Sequence, residues 1–173
     1  STPLSTCYRP ELDVSPELNP KLSSYYMSVI GILRWIVELG RVDICLEASM
    51  MASHMALPRE GHLRQVLHIF AYLSKFHNTE LVFDPSDRAI DPSLYQRKDW
   101  TSSEFAHLVE KEEISSNTPE PRGYGFQVSA EVDADHASDT ITRRSRTGFL
   151  VYINSALVNW HSKKQNSVES STF

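Results

Sequence analysis

The sequence predicts an α+β fold in which a helical block precedes a small antiparallel sheet. Three observations indicate this class. Apolar residues recur at helical spacing between residues 23 and 75, apolar and polar residues alternate after Gly125, and a proline-rich acidic stretch separates the two regions. The 173 residues, of which 40% are hydrophobic and 23% charged, are sufficient for one ordinary domain or two small ones.

Three helices are predicted in the first half of the chain. Residues 1–22 hold four prolines and are expected to form an extended lead-in. A first helix is predicted over residues 23–40, a second over 43–56 with Asp43 as its N-terminal cap, and a third over 59–75. The predicted buried face of the first helix consists of Tyr26, Val29, Ile30, Leu33 and Val37. Short connections predict that the three helices pack as one block, residues 23–84.

The middle of the chain loses this periodicity. Residues 80–84 are predicted to form a short strand at the end of the helical block. Residues 85–124 contain four more prolines and an acidic run, which predicts an acidic linker with one helical turn near residues 102–110.

Residues 125–173 are predicted to form a β-meander. Strands are expected over residues 126–133, 148–153 and 156–161, and the last two are joined by a tight turn at Asn154 and Ser155. In the first strand the apolar residues Phe126, Val128, Ala130 and Val132 share one face, which predicts a half-buried strand. We expect this meander to expose bare strand edges and the helical block to be the better-folded part.

Charge is distributed unevenly along the chain. The 17 basic and 22 acidic residues give a net charge of −5, which taken alone argues against a nucleic-acid partner. Residues 99–139, however, hold 2 basic and 10 acidic residues, whereas residues 140–173 hold 5 basic residues and 1 acidic residue. The total therefore hides a basic C-terminal region that could face an anion.

Two groups of residues could have a chemical role. Asp133 and Asp135 follow an apolar strand, where carboxylates suit Mg²⁺, although acidic residues also favour turns for purely structural reasons. The second group is a candidate phosphate-facing surface, with a solvated loop as the structural alternative. It consists of Arg143, Arg144, Arg146, Lys163 and Lys164.

Several classes of protein receive no support from the sequence. Two cysteines are too few for a disulfide scaffold, and no motif of a zinc site, an acyl-transfer nucleophile, a P-loop or a dinucleotide-binding loop occurs. The sequence also lacks a membrane span and the pattern of a signal peptide. These features predict an intracellular protein of the cytoplasm or nucleus.

The order of several short motifs resembles a known family. The helical region contains YMSVIG from Tyr26, GRVDI from Gly40, and a proline four residues before His62. The C-terminal region contains DADHA from Asp133, RRSRTGF from Arg143 and VNWHSKKQ. Together these motifs resemble the Pol polyprotein of copia-type LTR retrotransposons, late in the reverse transcriptase and early in the ribonuclease H domain.

This resemblance implies a thumb-like helical block, the acidic linker and a truncated ribonuclease H-like meander. It implies that Asp133 is a catalytic, Mg²⁺-binding carboxylate, with Asp135 beside it, in a parent that copies RNA and cleaves RNA–DNA hybrids. The chain ends before the family's other catalytic carboxylates, so the fragment is expected to be inactive and to bind Mg²⁺ weakly or not at all. Expected partners are RNA–DNA hybrids or other nucleic acid, contacted by the basic loops, and the rest of the polyprotein.

Two other functions remain open at this point. One is a co-opted module that binds nucleic acid without catalysis, and the other is a helical protein-interaction module with an acidic tail. Salt-dependent binding that survives Asp133→Asn favours the first.

Overall fold

A computed structural model describes residues 2–91, 93, 104, 107, 115–119 and 125–168. Its three α-helices are α1 (Pro20–Glu38), α2 (Cys45–Ala52) and α3 (Glu60–Lys75), and its strands are β1 (Val128–Ala134), β2 (Arg146–Ile153) and β3 (Ala156–Lys164). The α+β class is confirmed: three helices are followed by a three-stranded antiparallel sheet.

Helix α1 has the buried face that its sequence predicts. It begins at Pro20, three residues before the predicted start, because the Asn19 side chain accepts a hydrogen bond from the Leu22 N–H at 2.9 Å. All five predicted core residues of this helix are buried. The chain leaves the helix through Gly40, whose φ of 113° favours glycine.

Helix α2 is shorter than predicted, and the expected cap is wrong. Asp43 lies in a 3₁₀ turn, Val42–Ile44, before the helix starts, and both of its carboxylate oxygens accept hydrogen bonds from Arg41. A carboxylate held by this neighbouring guanidinium is not available to the helix end. Helix α2 ends at Ala52, and residues 53–57 form turns before Pro58.

The three helices surround one apolar core, and the lead-in packs against it. The Tyr26 hydroxyl donates a hydrogen bond to the Met51 carbonyl at 2.8 Å, which joins α1 to α2 inside this core. Asp13 of the lead-in lies so close to Gly61 that a Cβ there would come within 1.8 Å of its carboxylate. A side chain at this position would therefore displace the Asp13 carboxylate.

The connection between the helices and the sheet differs from the prediction in one respect. Residues 80–84 are not a strand, because no described strand lies beside them to supply backbone hydrogen bonds. Most of the predicted helical turn at residues 102–110 lies outside the described residues. The described start of the linker contacts the sheet, where the Ser155 N–H donates to the Ser86 carbonyl at 2.9 Å.

The sheet is the predicted meander, with strand order β1-β2-β3. The predicted turn at Asn154 and Ser155 is confirmed, with a φ of 53° at Asn154. We call the side of the sheet that carries Leu150, Trp160 and Ser162 the inner face, because it packs against α1 and α2. The Trp160 indole N–H donates to the Val37 carbonyl at 3.2 Å, which joins the two layers.

The buried face of β1 was predicted wrongly. Phe126, Val128 and Val132 lie on the outer face and are 70%, 59% and 70% exposed. The opposite side chains of β1 lie on the inner face, where Glu131 pairs with Arg88 of the predicted linker, and within β1 only Ser129 is not exposed. Because the helices cover the inner face, alternation along the strand leaves its apolar residues outside.

Candidate functional site

Asp133, the predicted catalytic carboxylate, extends from the inner face of β1. It lines a cavity of about 550 Å³ between the sheet and the start of α2. Glu131 and Asp135 line the same cavity, so a row of carboxylates occupies every second position of this strand and its extension. The opposite wall is formed by Val42, Cys45 and Leu46.

Two of these three carboxylates are already engaged. Glu131 forms an ion pair with Arg88, and Asp135 Oδ1 accepts a hydrogen bond from the Arg146 N–H at 2.6 Å. Asp133 makes no hydrogen bond or ion pair with a described residue. Within the described ranges no set of three or more His, Cys, Asp or Glu side chains is placed to hold a metal ion. The structure thus brings the predicted metal pair to one cavity without a third ligand.

The five predicted nucleic-acid-binding residues fall into two groups. Arg146 and Lys164 are used inside the protein: Arg146 Nη1 donates to Ser49 Oγ at 2.7 Å, and Lys164 forms an ion pair with Asp139. Burial lowers the pKa of Arg146. The other three residues are exposed and are free to meet an external anion. They are Arg143, Arg144 and Lys163.

Helix α2 covers the edge of the sheet that β3 forms. Ser49 Oγ donates a hydrogen bond to the Ser162 carbonyl at 2.6 Å. Burial raises the pKa of the Cys45 thiol, with Glu38 and Glu47 acting in the same direction. Ser49 thereby satisfies a backbone carbonyl that an edge strand otherwise exposes.

Asp139 organises the loop between β1 and β2. Its Oδ1 accepts hydrogen bonds from the Ile141 and Thr142 N–H groups at 3.1 and 2.7 Å, and its Oδ2 pairs with Lys164. Burial alone would raise the pKa of Asp139, but the hydrogen bonds from Lys164 and Thr142 outweigh it and lower the pKa to about 2. The loop is therefore tied to β3 by a charged pair.

Two histidines lie beside this loop. The His54 and His62 rings are 4.5 Å apart, and His54 lines a cavity of about 330 Å³ together with Asp139 and Lys164. Burial, with smaller effects of His62 and Lys164, lowers the pKa of His54 to about 4. His62 Nδ1 accepts from the Arg59 N–H at 3.1 Å. His54 is consequently uncharged at neutral pH.

Three residues at this junction were not singled out from the sequence. Ser49 and Trp160 join the layers, and Arg88, in the predicted linker, places its guanidinium 3.8 Å from the centre of the Tyr152 ring. A tryptophan in a short strand is a signal for burial. No pattern around Ser49 or Arg88 indicates a partner in the distant sheet.

The fold and site define an α+β protein in which α2 packs against the β3 edge of a small sheet. No protein-family model matches the chain, and no solved structure matches it. The chain is similar to Secreted RxLR effector protein 161 of Plasmopara viticola, with 24% identity over 147 residues. This similarity covers 85% of the chain and 78% of that protein.

This comparison corrects the assignment to a retrotransposon polyprotein. The relative is a secreted effector, so the reverse transcriptase and ribonuclease H function predicted from the short motifs is wrong. In the structure, several of the motif residues have local structural roles. Arg41 and Asp43 pair before α2, His62 caps α3, and Asp135 closes the end of the β1–β2 ladder.

The expected intracellular location is corrected by the same finding, because the relative is named as a secreted protein. Among the described residues, no helix combines the length and the apolar character needed to cross a membrane.

The run Arg-x-Leu-Arg does not occur in the 173 residues. The similarity therefore depends on the chain as a whole and not on that run.

Proposed function

We propose that this protein is a secreted effector-like protein. The observation that supports the proposal is the extent of the similarity to the Plasmopara viticola effector. An alignment of 147 residues within a chain of 173 must include parts of both the helical block and the sheet. Since Trp160 and Ser49 join these two layers, the similarity applies to one packed unit.

The proposal is tested by following the native protein in its source organism. An antibody raised against this chain is used to measure its distribution between washed cells and the culture filtrate. We expect most of the protein in the filtrate, while a cytosolic marker enzyme stays with the cells. Retention of the protein in the cells, together with the marker, would contradict the proposal.

The predicted contact of the basic loops with nucleic acid stays a prediction, now narrowed to the exposed residues. Arg146 and Lys164 already have partners inside the protein, so an external phosphate would meet Arg143, Arg144 and Lys163. Phosphate contacts of this kind are electrostatic and weaken as salt is added.

Weak binding of Mg²⁺ by Asp133 and Asp135 also stays a prediction. Mg²⁺ binds through one or two carboxylates and keeps several of its waters, so two side chains at one cavity are enough for a loose complex. Amide chemical shifts followed during a MgCl₂ titration test it. We expect gradual shifts at β1 that do not saturate at millimolar concentrations, and loss of these shifts in Asp133→Asn.

A further inference from the structure

Strand β1 uses only one side of its backbone within the described structure. The Asn154 N–H donates to the Gln127 carbonyl at 2.7 Å, and the Asp135 N–H donates to the Arg146 carbonyl at 3.1 Å. These two bonds show that the odd-numbered residues of 127–135 direct their backbone N–H and C=O groups toward β2. The even-numbered residues therefore direct their N–H and C=O groups away from the sheet, and no described residue bonds them. They are Val128, Ala130, Val132 and Ala134.

This free backbone is flanked by side chains of two different kinds. On the outer face, Val128 and Val132 are 59% and 70% exposed. On the inner face, Glu131, Asp133 and Asp135 form the row of carboxylates described above, in which Asp133 makes no ion pair with a described residue. The edge is thus apolar on one side and acidic on the other.

We propose that the free edge of β1 binds an extended segment of another protein in which apolar and basic residues alternate. Such a segment would add a fourth strand, because its backbone can pair with the unused N–H and C=O groups. Alternate side chains of an added strand point to opposite faces. Its apolar residues would pack beside Val128 and Val132, and its basic residues would face Asp133.

A second copy of this chain fits the edge less well. Antiparallel pairing of β1 with itself places Glu131 opposite Glu131 of the other copy in the register centred on that residue. No register places a cation opposite Asp133, because residues 126–135 contain no Lys or Arg. Like charges directly opposite each other destabilise a strand pair. Charge complementarity therefore favours a basic partner strand over self-association.

This inference goes beyond secretion and does not depend on it. The fractionation experiment described above can fail while the edge still binds a strand, and the reverse also holds. The experiment below uses the purified full chain and synthetic peptides, so the outcomes of the two tests are separate.

The probe is a heptapeptide of alternating valine and lysine, blocked at both ends and labelled with a fluorophore. A peptide with glutamate in place of lysine is the charge control, and a copy methylated at alternate backbone nitrogens is the backbone control. Binding is measured by fluorescence anisotropy. We expect the valine–lysine peptide to bind at least about 10-fold more tightly than either control.

Two variants separate backbone pairing from charge. Ala130→Pro removes an outward N–H without removing a bond to β2, and Ala130→Thr is its matched control because it keeps that N–H. We expect the proline variant alone to lose peptide binding. Asp133→Lys places a cation between Glu131 and Asp135, so it should reduce the preference for the lysine peptide over the glutamate peptide. An unchanged far-UV circular dichroism spectrum shows that each variant remains folded.

Amide hydrogen exchange identifies the bound strand directly. Addition of the valine–lysine peptide should slow exchange at Ala130 and Val132, whose N–H groups point outward, and leave Glu131 and Asp133 nearly unchanged. Equal affinity for the lysine and glutamate peptides, or binding that survives both backbone methylation and Ala130→Pro, would overturn the proposal. Tighter binding of an amphipathic helical peptide, without protection of Ala130 and Val132, would also overturn it.

Discussion

The two edge strands of the sheet, β3 and β1, differ in how their outward-facing backbone groups are bonded. At the β3 edge, the Ser162 carbonyl accepts a hydrogen bond from Ser49 of α2. At the β1 edge, the outward groups of Val128, Ala130 and Val132 have no described partner. The comparison shows that a hydroxyl of α2 bonds an outward carbonyl of β3, whereas the outward groups of β1 have no partner among the described residues.

The largest effect is expected when the sheet is released from the helices. Trp160→Ala removes the indole that packs against the helical core and donates to the Val37 carbonyl. Truncation of a large aromatic residue at such a position costs about 3 kcal/mol of the free energy of unfolding. Urea unfolding measures this loss. Trp35→Ala is the control, because Trp35 is 64% exposed on α1, and a loss of similar size there would contradict the prediction.

Ser49→Ala should leave the β3 edge with an unbonded outward carbonyl at Ser162, as at the β1 edge. The change leaves the Ser162 carbonyl and Arg146 Nη1 without the hydroxyl that now bonds both, which costs about 2 kcal/mol. Urea unfolding is the measurement. The control is Ser53→Ala, whose hydroxyl donates only to the Ser49 carbonyl in an exposed turn. If the two variants are equally stable, the role assigned to Ser49 is wrong.

Acid should lower the free energy of unfolding through His54, which lies beside Asp139 and Lys164. The pKa of His54 is 6.5 in an unfolded chain and about 4 in the folded protein, so the unfolded state binds an extra proton between these values. Stability is therefore full above pH 6.5 and falls as the pH drops toward 4, by about 1 kcal/mol for a group that solvent reaches. Unfolding at pH 7 and pH 5 tests this.

His54→Gln is the control for the pH experiment and should flatten this slope. Asp139 acts in a separate window, because its pKa falls from 3.8 to about 2 on folding, so its contribution is lost only as the pH drops below 3.8. An unchanged slope in His54→Gln would show that another group titrates.

The smallest effect is expected at the exposed cations. Replacing both Arg143 and Arg144 by alanine removes two candidate phosphate contacts, and it should leave stability nearly unchanged. If these residues meet nucleic acid, the slope of log affinity against log salt falls by about 2, as measured with a labelled oligonucleotide. Replacing both Lys21, at the start of α1, and Lys75, at the end of α3, by alanine is the control for the loss of two charges, and an equal effect of the two double changes would argue against a local site.

Much of the fold could be predicted from local patterns. The face of α1 followed from its 3.6-residue period, and the meander followed from alternation and from the Asn154–Ser155 turn, because each depends on neighbouring residues. The cap at Asp43 and the strand at residues 80–84 failed for a different reason. In each case a contact that local propensity does not report decides the structure. Asp43 is held by Arg41, and no described strand lies beside residues 80–84.

The site was less predictable, because it is built from contacts between distant residues. Ser49 and Ser162 are separated by 113 positions, and no spacing rule connects them. The expectation of bare strand edges was half right. The outward backbone groups of β1 have no partner among the described residues, whereas α2 packs against the edge formed by β3. Alternation identified the apolar side of β1 correctly but could not indicate which side the helices cover.

The difference between the two edges is tested most directly by native-state hydrogen exchange of the free protein. Outward-facing amides of the two edge strands are compared, namely Ala130 and Val132 on β1 with Ser162 on β3. We expect Ala130 and Val132 to exchange at rates close to those of an unstructured chain, and Ser162 to exchange much more slowly because α2 covers it. Equal protection at both edges would contradict the claim that only one edge is open.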